Sequence, residues 1–167
     1  GIVLDGDRVV AETRRPTPHT PQGIIDTLVA VVEELGDHEA VGVGVPGLVT
    51  RRGVIRASPN LVDVADFDVA GRLSERLGRT VAVDNDATCA AVAEWRAGAA
   101  VGHRDAVVVT LGTGIGGGLI VDGAIVRGAN GFAGEVGHMI VDPNGPKCPC
   151  GRRGCWERYA SGRSEEH

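Results

Sequence analysis

Ala106-Val-Val-Val-Thr-Leu-Gly-Thr-Gly-Ile-Gly-Gly-Gly-Leu-Ile-Val121 carries more structural information than any other stretch of this chain. The apolar and β-branched run Ala106–Leu111 predicts a strand, and Gly116–Val121 predicts a second one after a glycine turn. Backbone without Cβ atoms lets successive N–H groups turn toward one anion, so Gly112-Thr113-Gly114 has the makings of a phosphate nest, with the Thr113 hydroxyl as a further donor. A β-hairpin that simply needs glycine for its turn has the same residues, and both readings stay open here. No Lys-Ser/Thr pair follows, so this is not a Walker A loop, and no clear helix opens after it, as a dinucleotide fingerprint requires.

Working outward, Asp122-Gly123 turns the chain again, and Ala124–Arg127 continues the sheet. Upstream, Asp5-Gly6-Asp7 between Ile2–Leu4 and Arg8–Ala11 predicts a hairpin, and Arg14–His19 a loop. Thr20-Pro21 opens a helix whose apolar residues Ile24, Ile25, Leu28, Val31, Val32 and Leu35 recur at helical spacing until Gly36. Val41–Val45 predicts a short buried strand stopped by Pro46-Gly47. Asp68–Leu77 predicts a short helix, Val81–Val83 a strand, and Ala87–Arg96 an Ala-rich helix ending at Gly98. Helices alternating with short apolar strands give an α/β class with mixed sheets. A lobe boundary is expected near Gly98–Gly102, dividing the chain into 1–99 and 100–167.

The 167 residues suffice for one domain or parts of two. With 43% apolar but only 3% aromatic residues, the core must rest on Val, Leu, Ile and Ala. A net charge of -5 argues against a nucleic-acid or anionic membrane surface, and the Arg14-Arg15, Arg51-Arg52 and Arg152-Arg153 pairs read as dispersed solvated charge. No apolar stretch reaches the ~20 residues that span a bilayer. No signal peptide is visible, which points to the cytoplasm, although the chain starts at Gly1 and not Met.

Three of the four cysteines cluster as His138-x9-Cys148-x-Cys150-x4-Cys155, while Cys89 sits on the Ala-rich helix as buried filler. One His and three Cys match a tetrahedral structural zinc site, and the surrounding Pro and Gly residues supply the turns that fold a short loop around an ion. The competing reading is three free thiols beside a core histidine. Glu135 and Glu157 lie within three residues of this clip. Held there, their carboxylates would suit vicinal sugar hydroxyls, whereas free on a surface they would only be solvated. His138 could bind the metal with one ring nitrogen and turn the other to a ligand. Asp84-Asn85-Asp86 ends a wholly apolar strand and begins a helix. One acidic residue there could be an N-cap, but three consecutive polar side chains exceed capping needs. A carboxylate at this place can take the proton of an attacking hydroxyl, and Asn85 can donate and accept.

Gly42-Val-Gly-Val-Pro-Gly47, Val83-Asp-Asn-Asp86, Leu111–Gly118, Gly134-Glu-Val-Gly-His138 and Cys148-Pro-Cys-Gly-Arg-Arg-Gly-Cys-Trp-Glu157 occur in that order. Together they resemble the ROK sugar kinases, especially bacterial glucokinases, from about Gly1 to Gly162. The resemblance implies an α/β, actin/hexokinase-like (ribonuclease H-like) ATPase fold with two lobes. It implies ATP-dependent phosphorylation of a hexose, glucose first, with Mg²⁺ and a structural Zn²⁺. Asp86 would be the catalytic base, with Asn85, Asp86, Glu135, His138 and Glu157 on the sugar. Gly112, Thr113 and Gly114 would belong to the ATP phosphate cradle, and His138, Cys148, Cys150 and Cys155 would hold zinc. Gly47 and the Asn60 region would lie near the sugar, and a homodimer or homotetramer is expected. Thr88 stands where many members carry a second Asn. The family's Asp-x-Gly-Gly-Thr motif, the expected source of a Mg²⁺ ligand, would lie just before Gly1, and members extend past Gly162, so this stretch alone is not expected to phosphorylate a sugar. Some ROK members are instead sugar-sensing repressors with an added DNA-binding segment, which is the alternative function.

Overall fold

Gly6, at φ 62°, closes the turn between β1 (Ile2–Asp5) and β2 (Arg8–Glu12), the predicted antiparallel hairpin. The structure is a computed structural model and describes residues 1–58, 61 and 64–162. Thr20 caps α1 (Pro21–Glu34): its Oγ1 accepts the Gly23 N–H at 3.1 Å, and Pro21 sits in the first turn, where a missing N–H costs nothing. β3 (Val41–Val45) follows. The chain then forms a sheet absent from the sequence reading. β4 (Leu48–Val49), β5 (Val54–Ala57) and β6 (Phe67–Asp68) pair antiparallel in the order β4-β5-β6. Gly47 makes the entry, at φ 106°, and a Cβ there would overlap the Ala57 carbonyl.

Asp68 then caps α2 (Val69–Leu77), its Oδ1 accepting the Gly71 N–H at 2.8 Å, and Gly78 ends the helix in the left-handed region. β7 (Val81–Asn85) runs beyond the predicted Val83, because it pairs in parallel with β3 along its whole length, from Val41↔Val81 to Val45↔Asn85. Ile24, Ile25 and Val29 of α1, Val41 and Val45 of β3, Ile55 of β5, Val69 and Leu73 of α2 and Val81 of β7 form one buried core.

The next helix, α3 (Asp86–Ala97), leads to β8 (Ala106–Leu111), β9 (Ile115–Val121) and β10 (Ala124–Val126), an antiparallel sheet in the order β10-β9-β8. Asp122 and Gly123 both have positive φ in the β9–β10 turn, the geometry that matches strand twist. Cys89, expected to be buried filler, is only half-buried on α3. The chain divides into two compact units, Gly1–Asn85 and Asp86–His167. This division falls before α3 and not near Gly98–Gly102, because α3 packs on β8 and β9.

The reason lies in Gly116-Gly117-Gly118. Successive residues of a strand face opposite sides of the sheet. A Cβ on Gly116 would lie 2.6 Å from the Ala87 methyl, and one on Gly118 would overlap Ala91, so α3 rests directly on the bare backbone of β9. On the other face, a Cβ on Gly117 would lie 3.0 Å from Val136 Cγ2. Gly118→Ala is therefore expected to lower stability by about 1–3 kcal/mol through overpacking. Gly42→Ala, whose new methyl meets nothing within 4 Å, should stay within about 0.5 kcal/mol. Urea unfolding midpoints check the pair, and equal effects would remove the packing role of the β9 glycines.

Candidate functional site

Asn85 and Asp86 mark the passage from β7 to α3. Within the first unit, the Asn85 side-chain amide donates to the Gly47 carbonyl at 3.0 Å, so the turn after β3 orients it. Asp86 opens α3 as an acidic first-turn residue, favoured by the helix dipole, and its Oδ1 accepts the Ala87 N–H at 2.9 Å. The carboxylate is exposed. Asn60, expected near the same place, lies outside the described residues.

Within the second unit, residues 134–138 run along the far face of β9. Gly134 has φ 93°, and a Cβ there would lie 2.6 Å from the Gly117 carbonyl. A Cβ on Gly137 would overlap the Ile115 carbonyl. Two glycines thus let this segment press on the sheet and end in a single 3-10 turn, Val136–His138, that carries His138. Glu135 Oε2 lies 3.8 Å from His138 Nε2. Burial pushes the Glu135 carboxyl up, the His138 ring opposes this, and the nearby Asp86 and Glu157 charges add to it. Glu135 therefore feels the charges of three other predicted site residues, Asp86, His138 and Glu157.

His138 Nδ1 points the other way, 3.6 Å from Cys148 Sγ, and Cys150 Sγ lies 3.6 Å from Cys155 Sγ. The four ligand atoms all lie within 4.8 Å of one another. A tetrahedral ion with metal–sulfur bonds of about 2.3 Å and metal–nitrogen bonds of about 2.0–2.1 Å needs ligand–ligand edges of roughly 3.6–3.8 Å, which is close to this spacing. Burial pushes the Cys148 and Cys155 thiols up, and a cation at their centre would reverse that by stabilising the thiolates. The loop is shaped for the purpose. The Cys148 N–H donates to the Arg152 carbonyl at 2.8 Å, and Gly151 turns the chain at φ 90°. Gly154 packs on the Asp142 carbonyl where no Cβ would fit. Arg153, read from sequence as solvated charge, in fact donates from Nη1 to the Gly145 carbonyl at 3.0 Å and braces the loop.

Glu157 begins α4 (Glu157–Ala160), two residues after the last cysteine. Its Oε2 accepts the Ile115 N–H at 3.1 Å. The Gly162 N–H donates to the Gly112 carbonyl at 2.7 Å, and the Gly112 N–H is itself taken up inside the turn by the Gly114 carbonyl at 3.0 Å. Among the described residues, the N–H groups of Thr113 and Gly114 make no hydrogen bond. An anion at this turn would therefore meet Thr113 and Gly114, with Gly112 giving shape and not a donor. The attachment of Glu157 to the turn was not legible in the sequence, because nothing in the local pattern joins residues so far apart.

The ROK family model matches residues 2–167. The chain belongs to the ROK family. It is 41% identical to a glucokinase of Streptomyces coelicolor over 98% of its own length and 53% of that protein. It is 36% identical to the xylose repressor of Bacillus subtilis over 95% of its length and 43% of the repressor. Its fold matches the crystal structure of a ROK family glucokinase from Streptomyces griseus in complex with glucose and AMPPNP, with a TM-score of 0.86 and 43% identity over 94% of this chain and 51% of that one. The actin/hexokinase-like α/β fold expected from the sequence is thus the fold of this ROK chain. The chain spans about half the length of the curated relatives it matches. Among the described residues, no helix is long and apolar enough to cross a membrane.

If the cluster holds an ion, the protein purified with its metal contains about one tetrahedral metal per chain. Cys155→Ser should bring that close to zero, and Cys89→Ser should leave it unchanged, as read by plasma emission spectrometry. Full metal content in Cys155→Ser would disqualify the cluster.

Proposed function

We propose that this chain carries the sugar site of an ATP-dependent hexose kinase, with glucose as acceptor and glucose 6-phosphate as product. The observation that carries the reading is the convergence of Asp86, Glu135, His138 and Glu157 within the second unit, with Glu157 attached to the Gly112–Ile115 turn. Such a reaction needs a base for a hydroxyl, acceptors that fix a polyol, and donors for phosphate oxygens, all within reach of one another. The likeness to Streptomyces glucokinases supports glucose and ATP as the pair.

In this reading Asp86 takes the proton of the sugar 6-hydroxyl as that oxygen attacks the γ-phosphorus. The bond from that phosphorus to the bridging oxygen breaks, and ADP leaves. Exposure at the start of α3 leaves the Asp86 carboxylate accessible to a substrate. Glu135, His138 and Glu157 hold sugar hydroxyls. His138 divides its ring between two tasks, with Nδ1 on the metal side and Nε2 on the Glu135 side. The N–H groups of Thr113 and Gly114, with the Thr113 hydroxyl, face phosphate oxygens. Mg²⁺ arriving with ATP supplies charge neutralisation at the phosphoryl group. Zinc on His138, Cys148, Cys150 and Cys155 would fill all four of its positions and so serve to lock the loop that carries Glu157.

Likeness to the xylose repressor favours a second reading, a sugar-sensing regulator. ADP release by the intact protein against a panel of hexoses separates the two. Glucose turnover is expected, and Asp86→Asn should lower kcat by about 10²–10⁴ while leaving sugar affinity nearly unchanged. Retained turnover in Asp86→Asn removes that residue from the base role. Sugar binding without turnover on any hexose moves the assignment to the regulator.

A further inference from the structure

We infer that Gly114, a residue of the phosphate turn, is a positioning residue for the sugar ligand Glu157 and so sets sugar affinity. The inference rests on the sugar-kinase reading above and deepens it. Three contacts carry it. Glu157 Oε2 accepts the Ile115 N–H at 3.1 Å, one residue past Gly114. A Cβ on Gly114 would lie 2.5 Å from that same oxygen and 3.5 Å from Glu157 Cδ. The Gly162 N–H, at the far end of the α4 segment, donates to the Gly112 carbonyl at 2.7 Å. The segment that starts at the metal loop therefore grips the turn at both ends, and its carboxylate lies where a side chain on Gly114 would otherwise be.

Gly114 needs no glycine for its backbone, because its φ lies outside the left-handed region. What excludes a side chain there is the carboxylate. The end of a Glu side chain is flexible, so a methyl at 114 would move it at little cost to the fold. A moved Glu157 loses the Ile115 N–H and with it the orientation of its second oxygen, the one left for a sugar hydroxyl. Gly112, by contrast, has open space where its Cβ would stand. The Gly-Thr-Gly turn thus serves two ligands: Gly112 shapes it around phosphate, and Gly114, beside offering its N–H there, keeps room for the sugar acid.

The test is sugar binding by the intact protein without nucleotide, by calorimetry with glucose, on Gly114→Ala, Gly42→Ala and Gly114→Ala/Glu157→Asp, together with amide exchange at Ile115. Gly114→Ala should weaken glucose binding about tenfold or more, the scale of one hydrogen bond to a charged group, and should speed exchange of the Ile115 amide. Gly42→Ala, with open space at its Cβ and no part in the site, should leave both unchanged. Adding Glu157→Asp, one methylene shorter, should restore part of the affinity by relieving the overlap. Glucose binding that survives Gly114→Ala, with only the KM for ATP rising, overturns the inference and leaves the kinase reading standing. Failure of the unsubstituted protein to bind any hexose overturns both, even where Ile115 exchange responds.

Discussion

The second unit depends on how thin β9 is. Three adjacent glycines reduce the strand to backbone, and two layers use the space. α3 lies on one face through Ala87 and Ala91, and residues 134–137 press on the other through Val136 and the backbone of Gly134 and Gly137. Each layer carries residues of the proposed site. α3 presents Asp86 at its first residue, and the 134–138 segment presents Glu135 and His138. Ordinary side chains on β9 would hold these layers apart by the width of a methyl or more on each side. The glycine run that looks like a phosphate motif is therefore divided in function. Residues 112–114 form the turn, and residues 116–118 form the spacer.

The metal loop works on the same unit from the far side. An ion held by its four clustered ligand atoms would tie His138 to a segment that ends in Glu157, and Glu157 returns to the backbone of the turn. His138 links the loop to Glu135 through its second nitrogen. The chain from Gly112 to Gly162 is thus closed by the Gly162–Gly112 hydrogen bond, and an ion in the cluster would close it a second time. A structural ion there would in this way matter to the placement of a carboxylate without touching it.

Much of this was legible in the residues. The hairpin at Gly6, the cap at Thr20, and strands β3, β8 and β9 follow from local chemistry that acts within a few positions, and the structure has them where that chemistry puts them. The cluster of His138 with Cys148, Cys150 and Cys155 was equally readable, since short Pro- and Gly-rich spacing can bring four ligands together only in a loop. What escaped was either too short or too distant. β4, β5 and β6 are two to four residues long, and no periodicity can declare itself over such lengths. The division of the chain before α3 depends on an Ala-to-Gly fit between residues some thirty positions apart, a complementarity with no local trace. Arg153 looked like one of several solvated pairs because its carbonyl partner is set by the loop and not by its neighbours.

The spacer role of Gly116, Gly117 and Gly118 bears on how this protein can vary. Every amino-acid replacement that a coding change brings to a glycine adds at least one carbon. At these positions there is no milder exchange to pass through, whereas a buried leucine such as Leu73 has isoleucine and methionine as near equivalents. Adaptation of the site to another acceptor would then have to proceed through residues that line it, with the stripe beneath them held constant. Drift in the layers on either side is constrained too, since Ala87 and Ala91 can grow no larger while the strand beneath them has nothing left to give up.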